Sequence, residues 1–139
     1  MKNSKKSTRG NVRGLIKSWA VPIGCGLLFL FLLQFVFFMG YVPSDSMEPT
    51  IKESSVILGI RVFSNLARGD IIIFTRGNSL LVKRITGVPG DTVYANGETL
   101  VVPDSCYFVL GDNPDHSIDS RFWNEPFISM GNIIAKVCI

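Results

Sequence analysis

A serine hydroxyl attacks a carbonyl only when a neighbouring base takes its proton, and this chain holds one polar loop and one apolar run that supply the two kinds of group. The loop, Ser44-Asp45-Ser46-Met47-Glu48-Pro49-Thr50, presents hydroxyls between an apolar segment and the first β-type run. The run Leu80-Leu81-Val82-Lys83-Arg84-Ile85 holds two cations among aliphatic side chains. Strand alternation puts Leu81, Lys83 and Ile85 on one face and Val82 with Arg84 on the other, so one cation must share a face with branched aliphatics. Burial disfavours a charged amine, lowers its pKa from about 10.4 and can leave a neutral base. A guanidinium stays protonated at any relevant pH, so of the adjacent pair only Lys83 could accept a proton.

Each residue also has an ordinary reading. Serine is common in turns, and a lysine on an edge strand reaches water along its aliphatic stem. A third cluster, Gly111-Asp112-Asn113-Pro114-Asp115-His116-Ser117-Ile118-Asp119-Ser120-Arg121, could orient a base. It could equally be a surface loop held by Asx turns and an Asp119 to Arg121 pair. The only histidine, His116, lies there and invites a Ser/His/Asp arrangement. Its neighbours Pro114 and Asp115 point instead to an exposed loop.

The elements that must position these groups are short and β-rich: 55–60, 70–75, 80–86, then TVYA, ETLVV, CYFVL and NIIAKVC, separated by Gly, Pro and Asn turn signals. Asn96-Gly97 between two such runs predicts a hairpin with a type I′ turn, which needs positive φ at both central positions. The fold class is therefore mainly β, a compact antiparallel, barrel-like sheet domain. The outer segment shows no long amphipathic helix, repeat, phosphate-binding glycine loop or zinc-type Cys/His spacing, so no metal or cofactor is expected.

Ahead of that domain, residues 19–39 form an uncharged run of about twenty residues, long enough for a helix to cross a ~30 Å hydrocarbon core. Pro22 falls in the first turn of that expected helix, where its missing N–H costs little, and Trp19 fits an interfacial anchor. The run exceeds a secretory h-region and no small-x-small site follows it, which favours a retained anchor over a cleaved signal. Lys2, Lys5, Lys6, Arg9, Arg13 and Lys17 precede it with no acid among them, so the positive-inside rule puts the N-terminus in the cytoplasm. The expected organisation is a basic, disordered cytoplasmic tail over 1–18, a transmembrane anchor over 19–39 and an extracytoplasmic domain over 40–139. The formal net charge is +3, yet without those six tail cations the outer part carries 8 basic against 11 acidic residues, about −3, and nucleic-acid binding loses its support.

In order and spacing, four blocks resemble the signal peptidase I family of membrane-bound Ser/Lys proteases: SDSMEPT at 44–50, RGDIIIF at 68–74, VKRITGVPGD at 82–91 and GDNPDHSIDSR at 111–121. The resemblance implies Ser46 as nucleophile and Lys83 as general base. It implies Ser44 as side-chain oxyanion donor beside the Ser46 N–H, and Ser117 as the hydroxyl that orients the lysine amine. Asp112, Asn113, Asp119 and Arg121 are implied supports of the last loop. Met47, Leu81 and Ile85 are the expected walls of a small apolar pocket. The implied activity is removal of signal peptides from exported preproteins with small residues before the cut, through an acyl-enzyme, at the outer face of a bacterial plasma or inner membrane.

Between Asp91 and Gly111 there is room only for a hairpin and one strand, so the large second β domain of the bigger bacterial enzymes is absent. That plan is similar to small members, including peptidases dedicated to conjugative pilus or plasmid transfer, and a dedicated maturation peptidase is the alternative enzyme. A membrane-tethered β module that binds extracytoplasmic partners is the non-enzyme alternative. Cys106 and Cys138 lie in the outer domain, where a bridge or two free thiols are both open.

Overall fold

Ile71-Ile72-Ile73-Phe74 is an uninterrupted apolar run, the pattern of a strand covered on both faces. A computed structural model describes residues 9–138 of the chain, with side chains from Ser18 onward. In it this run forms most of β3 (Ile71–Arg76), in the middle of a seven-stranded antiparallel sheet. The other strands are β1 (Phe37–Tyr41), β2 (Val56–Ile60), β4 (Ser79–Gly87), β5 (Thr92–Ala95), β6 (Glu98–Val101), β7 (Cys106–Leu110), β8 (Phe127–Ser129) and β9 (Ile133–Val137). The sheet order is β1-β2-β9-β3-β4-β7-β8, and β5 and β6 pair separately. The mainly β class expected from the sequence is what the chain adopts.

Burial on both faces splits β3 between two cores. Ile71 and Ile73 pack with Val42, Met47, Ile57 and Val137, whereas Ile72 and Phe74 pack with Ile85, Val109 and Ile128. The β5–β6 hairpin turns at Asn96 and Gly97 with φ of 55° and 85°, the positive pair that a type I′ turn requires. Two strands add to those read from the sequence. Phe37–Tyr41 pairs with β2 in the register Met39↔Leu58 and Tyr41↔Val56, and its apolar residues run on directly from the anchor. The three-residue β8 pairs with β7 behind Pro126.

The N-terminal unit is one helix, α1 (Arg9–Val36), and residues 36–139 form the second compact unit. Ser18–Val36 is long and apolar enough to cross a membrane, with a mean hydropathy of 2.1. The helix ends before the apolar run does, because Phe37–Met39 take up strand pairing. It also begins before that run, correcting the disordered tail over residues 9–18: once nucleated, a helix gains one hydrogen bond for each residue added. Residues 1–8 lie outside the described part. Pro22 consequently sits inside the helix rather than in its first turn, and deprives the Ser18 carbonyl of its helical donor.

Candidate active site

Lys83 lies on β4, which is flanked by β3 and β7, so it cannot escape to water along a sheet edge. It stands opposite Ile72 in the β3 register, on the same strand face as fully buried Ile85, and retains 4 % of its exposure. Its Nζ donates to Ser46 Oγ at 2.7 Å, joining residues 37 positions apart. Burial pushes the amine below the ordinary lysine value; the Asp119 carboxylate opposes that shift, Arg121 reinforces it and Asp112 opposes it.

Ser46 is held in place by the chain on either side of it. Met47, the next residue, is buried in the first core, and Val42 anchors the approach. Between them the backbone turns through Glu48 N–H to the Asp45 carbonyl at 3.0 Å and Ile51 N–H to the Met47 carbonyl at 2.9 Å. The Ser44 and Ser46 hydroxyl oxygens are 3.4 Å apart. Ser44, Ser46, Met47, Ile73, Leu81 and Val82 are among the walls of a cavity of about 100 Å³. Ile85 does not line it: this residue is enclosed in the second core, two residues beyond Lys83.

The 111–121 segment closes over the pair. Asp119 is fully buried, and its Oδ2 accepts from Ser117 Oγ at 2.7 Å, Gly111 N–H at 2.9 Å and Arg121 Nη2 at 2.9 Å. Its Oδ1 accepts from Arg121 Nε at 2.9 Å. Burial alone would raise this carboxyl; hydrogen bonds from Arg121, Gly111 and Ser117 outweigh it and hold the group below the usual carboxylate range. Ser117 therefore donates to Asp119, and among the described residues no hydrogen bond runs directly from it to the Lys83 amine. Asp112 is gripped by Arg84 through two bonds of 2.8 and 2.6 Å. Asn113 N–H donates to the Ser46 carbonyl at 3.1 Å, and its side-chain amide to the Asp45 carbonyl at 3.2 Å.

This hydroxyl and amine, withdrawn from water and in hydrogen-bonding contact, are the parts of a nucleophile and base. Comparison with known proteins gives the family. The profile described as "Signal peptidase, peptidase S26" matches residues 16–105 and 95–139. The chain belongs to the signal peptidase I family. Signal peptidase I of Bacillus amyloliquefaciens is 32% identical to it, over 87% of this chain and 84% of the relative. Signal peptidase I S of Bacillus subtilis (strain 168) is 30% identical, over 84% of each chain. Mitochondrial inner membrane protease subunit 1 of Saccharomyces cerevisiae is 28% identical, over 89% of this chain and 80% of that one.

Four further residues contribute to the site beyond the roles that the resemblance implies. Arg84 ties the lysine strand to Asp112, to the Gly69 carbonyl at 2.7 Å and to Thr50 at 3.3 Å; its signal is alternation, which turns it away from Lys83 toward the other face. Gly111 leaves no room for a side chain, since a Cβ there would stand 2.2 Å from Ser117 Oγ and 2.5 Å from the Ser46 carbonyl oxygen. Glycine at this position lets the two loops meet. Asp45 and His116 are joined side chain to side chain. His116 is exposed and bonds Asp45 rather than Ser46, so the Ser/His/Asp arrangement does not form. Cys106 and Cys138 are both free thiols.

Proposed function

We propose that Ser46 is the nucleophile and Lys83 the general base of this membrane-anchored serine endopeptidase, a signal peptidase acting on preproteins. The observation that carries the assignment is the 2.7 Å contact between a buried amine and a buried hydroxyl. With its pKa lowered, the lysine becomes neutral at a lower pH than an ordinary one, and its lone pair can take the Ser46 proton as the oxygen attacks the scissile carbonyl. The oxyanion is held by the Ser46 N–H and the Ser44 hydroxyl. The protonated amine then donates to the leaving nitrogen, and water releases the acyl-enzyme with Lys83 again acting as base. Asp119, locked by Ser117, Gly111 and Arg121, keeps the neighbouring loop fixed through this cycle.

Substrates carry small residues before the cut. A cavity of about 100 Å³ beside the nucleophile suits side chains of a few atoms, in keeping with the family resemblance. The basic residues ahead of the apolar helix support a cytoplasmic N-terminus by the positive-inside rule, which leaves the domain beginning near Phe37 on the extracytoplasmic face. Incubating the detergent-solubilised chain with a preprotein tests the chemistry. Ser46→Ala and Lys83→Arg each abolish cleavage while the circular dichroism spectrum is kept; cleavage surviving in Ser46→Ala would remove Ser46 as the nucleophile, and a native chain that cleaves no preprotein would favour a tethered binding module.

A further inference from the structure

Asp45 immediately precedes Ser46, and His116 immediately precedes Ser117. The two segments meet at the two Asn113 hydrogen bonds to the Ser46 and Asp45 carbonyls, at a Thr50 to Asp112 side-chain hydrogen bond, and at the contact between His116 Nδ1 and Asp45 Oδ2, residues 71 apart in sequence. The amide ties are neutral at every pH. The imidazole tie is the one whose strength follows protonation, and it acts on the side chain next to the nucleophile. We propose that the His116–Asp45 contact is a charge-dependent strap that seats the Ser46 loop against the 111–121 loop, making His116 a positioning residue for Ser46. The proposal rests on Ser46 being the nucleophile.

The charged groups facing His116 are all acidic. Asp45 reaches it from the nucleophile loop, Glu48 from the turn that follows and Asp115 from its own segment. Their effect is to raise the imidazole above its ordinary value, chiefly through the Asp45 hydrogen bond and then the Asp45 charge; desolvation opposes the rise, and Asp115 and Glu48 add lesser contributions to it. A raised histidine is fully charged below its ordinary pKa and loses that charge as pH rises through the raised one. The strap is therefore tight in mildly acidic medium and slackens toward alkaline pH.

His116→Gln keeps a hydrogen-bonding side chain but cannot become charged, so its comparison with the native chain isolates the charge. In detergent micelles, kcat for a preprotein in the variant is lower by about two- to fivefold at pH values below the His116 midpoint, the range that an exposed ion pair supports. KM barely moves, and the gap closes as pH rises through the midpoint. Protonation of Lys83 scales both proteins alike and largely cancels in the ratio. Independently of activity, the imidazole proton resonance of this single histidine titrates at a lower pH in Asp45→Asn than in the native chain. An unchanged midpoint in Asp45→Asn, or a native-to-variant kcat ratio that is flat with pH, overturns the strap. Cleavage that persists in Ser46→Ala overturns the nucleophile assignment instead, and leaves the histidine titration to decide whether the contact exists.

Discussion

Ile72 and Lys83 face each other across the β3–β4 ladder, and both are almost entirely withdrawn from water. On β3 that burial is free of conflict: successive apolar side chains fill one core and then the other. On the neighbouring strand the same environment encloses an amine, whose charged form it destabilises, and beside it an arginine that needs a carboxylate, a carbonyl and a hydroxyl to satisfy it. The difference shows how a sheet centre lowers the pKa of a lysine, as the proposed base requires. No special residue type is needed, only an ordinary lysine in a position where an isoleucine would be the stable choice.

Phe74→Ala, on the packing strand, should have the largest effect on stability, a loss of about 3–5 kcal/mol in denaturant unfolding, because a fully buried ring in edge contact with Trp123 leaves a cavity between rigid strands. Asp119→Asn comes next, at about 2 kcal/mol, below the usual range for breaking a buried pair because Arg121 is partly exposed. The native advantage over that variant is present above the ordinary carboxylate pKa and is lost as pH falls through the lowered one, so the two unfolding curves converge in acid.

Lys83→Met should change sign relative to both. Cleavage disappears, yet thermal unfolding shows a gain of roughly 1–2 kcal/mol, since the desolvated amine is replaced by an apolar chain of similar length. The folded-state pKa of this lysine is depressed, so the gain is largest below that depressed value and closes as pH rises toward about 10.4, the unfolded lysine's value. A lysine variant no more stable than the native chain would remove the contrast between β3 and β4. The smallest effect is expected well away from both strands: Gly97→Ala costs about 1 kcal/mol in unfolding, through a left-handed φ of 85° alone, because the surrounding space is open.

Signals carried by neighbouring residues were readable directly. The Asn96-Gly97 turn, the β3 run and the alternation that sets Lys83 apart from Arg84 all depend on residues a few positions apart. β1 was hidden because Phe37–Met39 continue the composition of the anchor, and only pairing with β2 separates strand from helix. β8 was hidden because three residues behind a proline carry no periodicity, and its strand character comes from β7. Within the site, the candidate hydroxyls and amine could be named from their blocks, whereas the bonds among them could not. Ser117 was expected from its block to orient the lysine amine; its hydroxyl instead donates to Asp119, a partner that only the folded loop reveals.

What the sequence determined by itself was the inventory: an apolar helix long enough for a bilayer, alternating strands with their turns, one lysine in an aliphatic run and serines in a polar loop. These follow from side-chain chemistry and short-range backbone preference. The tertiary structure decided that β4 is an interior strand, that Ser46 Oγ meets the Lys83 amine across 37 residues, and that His116 reaches Asp45 across 71. Desolvation and hydrogen bonding between distant residues arise only when the strands are stacked in their final order, so no local stretch of the chain can specify them.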